Sequence, residues 1–302
     1  MKKVLARCPG TCGEWVQGSY DGVPFLVDCP IDSFSEVVTM LEPSRNQWIV
    51  PNQKQKVINA LKILLQDERL RGFGGSINFI QELPEGKGMA SSTADITASL
   101  ASILFSAGLE PSPAIIARIA LMVEPSDSIM FPGITEMDHI NGTYTRNLGK
   151  AVQASLLALD WGGVVDTLEF NASGNLSGHY RRFQKETTGA LKLIREGIKE
   201  QDLEKVAYAS TISARCNLEV NPKPLFEQFL TWVKENGGLG VVGAHSGTLL
   251  AGVFPIETKL DHLVFEGKET FTPDTVQVFK TINGGVRIEN IDTAQEYSCE
   301  AV

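Results

Sequence analysis

Between Pro84 and Thr93 the chain reads PEGKGMASST, two glycines around a lysine and then three hydroxyl residues, directly ahead of an apolar run that ends at Gly108. Glycine lets a backbone approach a ligand closely and takes positive φ at no steric cost. A helix N-terminus presents unpaired N–H groups and the positive end of the helix dipole. A glycine-rich loop that runs into a helix is therefore suited to cradle a phosphate. Pro84, Gly86, Gly88, Met89 and Ala90 would shape the cradle, and Lys87 would add a cation. The hydroxyls of Ser91, Ser92 and Thr93 would donate to phosphate oxygens or bind Mg²⁺. The same residues also suit a plain helix cap. Two familiar phosphate-loop templates do not fit. One needs four residues between its first glycine and a Gly-Lys pair, and the other has a glycine where Ser91 stands.

Three further segments carry polar groups in unusual company. VEPSDSIMFPG supplies Glu124 and Asp127 at the end of a predicted helix. Pro125 stops that helix, so Asp127 falls in a turn and is free to point inward, or to cap the turn itself. CPGTCGEWVQG sets Gly13-Glu14 among apolar residues, and GVVGAHSGTLLAG sets Gly243, His245, Ser246 and Gly247 between two apolar runs. A turn between strands needs one or two such residues, not four, which suggests a second loop facing the same site.

The elements that would position these groups read as follows. PFLVDCPIDSFSEVVTML holds two apolar runs separated by a turn-like CPID, as if the first third of the chain mixed short strands and turns. Val57, Leu61 and Leu64 recur at helical spacing over residues 54–67, and GSINFIQELP alternates as a strand. Helices are predicted over MASSTADITASLASILFSAG and, with prolines at its start, PSPAIIARIALMVE. TRNLGKAV reads as a connector, VQASLLALD as a buried strand, and 181–200, 203–217 and 222–236 as helices. NGG in the tail is a hairpin or turn signal. A division near residue 150 gives two parts, 1–150 and 151–302.

The chain has 302 residues and is 43% hydrophobic, enough to bury a core without staples. A net charge of −9 argues against a broad nucleic-acid or anionic-membrane surface, but leaves room for a small anionic ligand. The five cysteines have no metal-ligand spacing, and Cys8 and Cys12 lack nearby partner ligands. No apolar run approaches a membrane span or a signal peptide. These features lead to an expectation of a cytoplasmic protein with reduced thiols.

Taken together, PGTCGE, PEGKGMASSTA and GAHSGTLLAG resemble the three motifs of the GHMP kinases. The central family motif is P-x-x-x-G-L-G-S-S-A-A. Pro84, Gly86-Lys87-Gly88 and Ser91-Ser92-Thr93-Ala94 match it, with Lys87 where Leu is common and Met89-Ala90 inserted. KGMASSTADI, CPGTCGEWVQG, LVDCPID and VEPSDSIMF resemble one branch of that family, the L-threonine kinases of cobalamin synthesis. The resemblance implies an α+β fold with a ribosomal-S5-like N-terminal domain and a ferredoxin-like C-terminal domain. It implies ATP with Mg²⁺, and transfer of the γ-phosphoryl group to the hydroxyl of L-threonine. It further implies Ser92 and Glu124 on Mg²⁺ and Asp127 as the base for the acceptor hydroxyl. A zwitterionic acceptor needs an acceptor for its ammonium, for which Glu14 and Asp32 are candidates, and a donor for its carboxylate, for which His139 and His245 are candidates. Two alternatives stay open: a GHMP kinase for another small alcohol such as homoserine or a sugar, and a GHMP-fold sensor without chemistry.

Overall fold

The computed structural model describes residues 2–42, 47–163 and 176–291. Two long strands open the chain, β1 (Lys2–Tyr20) and β2 (Val23–Glu42), paired antiparallel. Asp21-Gly22 joins them, with φ of 49° and 80°, the left-handed pair that a tight two-residue hairpin requires. Short strands and turns were expected here, and the structure corrects that. Pro9, Gly10, Cys29 and Pro30 look like turn residues, yet they lie within the long strands. Register shifts between Pro9 and Thr11, Thr11 and Glu14, and Glu14 and Val16 accommodate them. Bulges of this kind tolerate proline and re-aim side chains.

The remaining strands are β3 (Trp48–Ile49), β4 (Gly74–Gln81), β5 (Ile134–Met137), β6 (Thr145–Gly149), β7 (Ala154–Asp160), β8 (Gly240–Gly243), β9 (Leu250–Pro255), β10 (Thr275–Lys280) and β11 (Arg287–Asn290). The sheet runs β10-β7-β9-β8-β1-β2-β4-β3; β11 also pairs with β1, and β5 with β2 and β6. The segment read as a connector thus contains β6. The NGG segment is not a hairpin, because β10 pairs with β7 while β11 pairs with β1. Gly284 and Gly285 make the crossing, their N–H groups donating to Gly133 O and Ile129 O.

The helices are α1 (Gln55–Leu64), α2 (Ser91–Ser106), α3 (Pro113–Val123), α4 (Leu176–Arg182), α5 (Gln184–Glu200), α6 (Leu203–Asn217), α7 (Phe226–Glu235) and α8 (Asp261–Phe271). Among them α8 has no counterpart in the sequence expectations. Helix α2 is buried on nearly every side, and its small residues Ala94, Ala98 and Ala101 let it lie against β1 and β2. Gly108, with φ +77°, follows its C-terminus. Helices α5 and α6 pack on β1. One core cluster joins residues of β1, β2, α2, β7, α5 and β9; a second gathers Phe229, Trp232 and Phe271 under α7 and α8.

Candidate active site

The loop between β4 and α2 is held by its carbonyls. Lys87 O accepts from Thr248 N and Leu249 N at 3.1 and 3.2 Å. Gly88 O accepts from Gly13 N at 3.1 Å and from Thr11 Oγ1 at 3.1 Å, and Met89 O accepts from Thr11 N at 3.1 Å. The two other glycine-bearing segments therefore clasp this loop. Such contact demands absent side chains. A Cβ on Gly88 (φ +83°) would lie 2.1 Å from Ala244 Cβ, and one on Gly247 would lie 2.2 Å from Gly88 N. Ala90 caps α2 with φ 56°, and the first intrahelical donor is Ala94 N–H to Ala90 O at 2.9 Å. The N–H groups of Ser91, Ser92 and Thr93 precede it and have no intrahelical partner.

These N–H groups border a cleft of about 320 Å³, lined also by Glu14, Gln17, Glu124, Asp127, His139 and Ser246. Ser92 Oγ donates to Glu124 Oε1, and Lys56 Nζ lies 2.7 Å from Glu124 Oε2. Thr93 Oγ1 donates to Asp127 Oδ2 at 2.8 Å. Burial first, and the Glu14 carboxylate second, push Asp127 up to about 7, although the Thr93 bond pulls it down. Asp28 lies beneath, 1% exposed, its Oδ2 accepting from Ser128 N and Ser128 Oγ at 2.5 and 2.6 Å. Burial, then the charges of Asp127 and Glu14, hold Asp28 well above the usual carboxylate range.

A buried polar network forms the floor. Glu14 Oε2 accepts from His245 N at 2.7 Å and from His245 Nδ1 at 2.8 Å. Ser213 Oγ accepts from Gln17 N at 3.1 Å and lies 3.1 Å from His245 Nε2, so the serine proton goes to that nitrogen. Both ring nitrogens of His245 are engaged, one with Glu14 and one with Ser213. Gln17 Nε2 donates to Tyr180 Oη at 2.5 Å and sits 3.3 Å from His139 Nε2. That network assigns the His139 proton to Nδ1, a buried donor without a partner. Burial depresses His139 to about 4, which keeps the ring neutral near pH 7.

Residues 55–131 match the family model described as GHMP kinases N terminal domain. The chain is 30% identical over 253 residues to a protein named L-threonine kinase from Citrobacter freundii, covering 82% of this chain and 84% of that one. The chain belongs to the GHMP kinase family. A protein named L-threonine kinase from Salmonella typhimurium is 28% identical over 294 residues, 94% of this chain and 95% of that one. The solved structure of homoserine kinase from Cytophaga hutchinsonii superposes with a TM-score of 0.71 at 14% identity, over 95% of this chain and 97% of that one. The fold is thus the α+β fold of the GHMP kinases, and the protein is an ATP-dependent kinase acting on a hydroxyl group.

Within this GHMP kinase the central motif aligns differently from the sequence reading. Ala90 adopts the left-handed conformation that favours glycine, so it stands at the motif's second glycine and Met89 at its leucine. Counted this way Gly88 is the first glycine and no insertion is needed.

The structure gathers Gly86, Gly88, Met89, Ala90, Ser91, Ser92, Thr93, Glu124, Asp127, Glu14, His139 and Ser246 around one cleft. Gly247 serves it through close packing on the loop. Pro84 precedes the loop outside the lining. Lys87 turns away from it: Nζ sits 2.7 Å from Asp160 Oδ2 and donates to Gly163 O at 2.7 Å. Asp32 is exposed and outside the cleft, its Oδ1 accepting from Lys280 N at 2.8 Å. The reason is a bulge: β2 has three residues between Pro30 and Phe34 where β1 has one between Pro9 and Thr11, so Asp32 leaves the ladder.

Sequence reasoning missed Asp28, Gln17, Lys54 and Lys56. Lys54 is 5% exposed and ties the start of α1 to Asp95 Oδ2 at 2.7 Å and Glu82 Oε2 at 2.6 Å. Burial alone would depress this ammonium, but the Asp95 and Glu82 bonds outweigh it and raise it. A signal existed: lysines at a helix N-terminus oppose the helix dipole, so two of them at the start of α1 need another reason to be there. An aspartate amid the apolar LVDCP was the signal for Asp28.

Proposed function

We propose that this GHMP kinase transfers the γ-phosphoryl group of ATP to the hydroxyl of L-threonine. The observation that carries the reading is the Thr93–Asp127 contact, which holds a carboxylate titrating near 7 at the mouth of a phosphate-cradling helix. The two relatives named L-threonine kinase support the choice of acceptor. Gly86 to Ser92 hold the phosphates through N–H groups, and Lys56, which lines the same cleft, adds a cation. Ser92 and Glu124 are hard oxygen donors already in contact, which fits Mg²⁺, and they would hold it. Bound Mg²⁺ would neutralise charge on the phosphate oxygens.

In the reaction the threonine oxygen forms a bond to the γ-phosphorus while the bond to the β,γ-bridging oxygen breaks and ADP leaves. Asp127 takes the hydroxyl proton. A base with a pKa near the working pH combines availability with driving force. Neutral His139 donates its Nδ1–H to the substrate carboxylate. The product, O-phospho-L-threonine, suits the aminopropanol arm of cobalamin synthesis in the cytoplasm. The division near residue 150 belongs to this reading, with Lys87 and Asp160 linking the two parts.

The test is turnover with Mg·ATP and a panel of L-threonine, L-serine, L-homoserine and simple sugars, with products identified by mass. Clear preference for L-threonine is expected. Preference for a sugar or for homoserine sinks the acceptor assignment, and nucleotide binding with no phosphorylated product favours a sensor.

A further inference from the structure

Glu14 and Asp28 are direct register partners across β1 and β2. Like charges facing each other in a sheet are destabilising. With Asp127 they form a cluster whose three carboxylate oxygens all lie within 4.8 Å of one another. Among the described residues no lysine or arginine pairs with any of the three. Lys56 is on Glu124, and Lys223 Nζ donates to Gly247 O. One observation goes beyond the clustering: Asp28 Oδ1 is buried and accepts no hydrogen bond, while Oδ2 is saturated by Ser128. A buried carboxylate oxygen left bare costs free energy until a donor arrives.

We propose that Glu14 and Asp28 receive the primary ammonium of the acceptor, with Asp28 Oδ1 as the anchoring oxygen and neighbouring Asp127 kept for the hydroxyl proton. The proposal rests on the amino-acid reading above and extends it to a residue that sets substrate class. Three points no more than 4.8 Å apart share a point within about 2.8 Å of each. That is the length of a charge-assisted N⁺–H···O⁻ bond, ~2.7–2.9 Å. A substrate ammonium carries three N–H donors, enough for Asp28 and Glu14, while the hydroxyl on the next carbon faces Asp127. Glu14 Oε2 is committed to His245 and Asp127 Oδ2 to Thr93, which leaves Glu14 Oε1 for the ammonium and Asp127 Oδ1 for the hydroxyl proton. The site selects amino alcohols over plain alcohols, because an acceptor without the ammonium leaves Asp28 Oδ1 without a donor.

The test is Asp28→Asn. The amide oxygen can keep both Ser128 bonds while an NH₂ group replaces the bare oxygen, so the fold is retained and the acceptor becomes a donor. Threonine binding is measured by calorimetry in the presence of a non-hydrolysable ATP analogue, and turnover is compared for L-threonine and 3-hydroxybutyrate, its deaminated analogue. Loss of a hydrogen bond to a charged group predicts a rise of about 10- to 100-fold in Kd and KM for threonine. KM for ATP should stay within about twofold, and the preference for threonine over 3-hydroxybutyrate should collapse. Wild-type affinity for threonine in the variant overturns the assignment and leaves threonine kinase activity standing. A wild-type protein that prefers another amino alcohol overturns threonine as acceptor, and the same variant then tests Asp28 on that substrate. A wild-type protein that binds only alcohols without an amino group overturns both. A Mg²⁺-induced thermal shift lost in Asp28→Asn, with threonine affinity unchanged, reassigns the cluster to a metal.

Discussion

Thr93 Oγ1 donates to Asp127 Oδ2 at 2.8 Å and accepts from Asp127 N–H at 3.3 Å. One hydroxyl in the first turn of α2 thus fixes both the backbone and the carboxylate of the turn after α3. Asp127→Asn should lower kcat by about 10²- to 10⁴-fold, the usual worth of a positioned base, with KM for Mg·ATP changed only a few-fold. Thr93→Val removes both bonds; kcat should fall less, and the limb of the pH–rate profile should move to higher pH, because the lost bond favours the charged carboxylate. Steady-state kinetics between pH 5 and 9 decide both points, and an unchanged profile in Thr93→Val removes it from this role.

Asp127 also links stability to pH. Its pKa is about 7 in the folded chain against an ordinary 3.8, so the unfolded chain ionises first. Stability should therefore decline as pH rises from about 4 to about 7 and then level off, while kcat/KM rises over the same approach to 7. At ~1.4 kcal/mol per unit, the shift corresponds to at most about 4 kcal/mol. Asp127→Asn should raise the melting temperature at pH 8 and scarcely change it at pH 4. A variant equally stabilised at both pH values contradicts this account.

Ser92 and Glu124 meet at the first turn of α2. Ser92→Ala and Glu124→Gln should each raise KM for Mg·ATP by about tenfold or more, with little effect on threonine binding. The two losses should be less than additive if both groups hold one ion. Titration of Mg²⁺ at fixed ATP, with the double variant, measures this directly.

Lys87 and Lys56 should separate by readout. Lys87→Met leaves Asp160, 4% exposed, without its lysine partner. Removing one partner of a buried pair costs ~3–5 kcal/mol, and the partial exposure of Lys87 puts the loss at the low end. Thermal stability should fall while KM for ATP holds within about threefold. Lys56→Met should instead raise KM for ATP by about tenfold. A nucleotide defect in Lys87→Met would return that residue to the phosphates.

The parts of the site that lie contiguous in sequence were legible without coordinates. Gly86 to Thr93 form one loop and one helical turn, and local rules for glycine, caps and helix starts suffice to place them. Glu124 and Asp127 were legible for the same reason, since Pro125 fixes where α3 stops. Tertiary structure decided everything that depends on register. A bulge sends Asp32 to solvent, while direct pairing sets Asp28 opposite Glu14. Lys87 belongs to Asp160 rather than to phosphate because β7 passes beside the loop. His245 is consumed by Glu14 and Ser213, whereas His139 keeps a free N–H. No single-chain pattern ranks two histidines that way. The division is physical: backbone conformation is set within a few residues, but which charged group meets which is set by strand register and by what the opposing layer brings across.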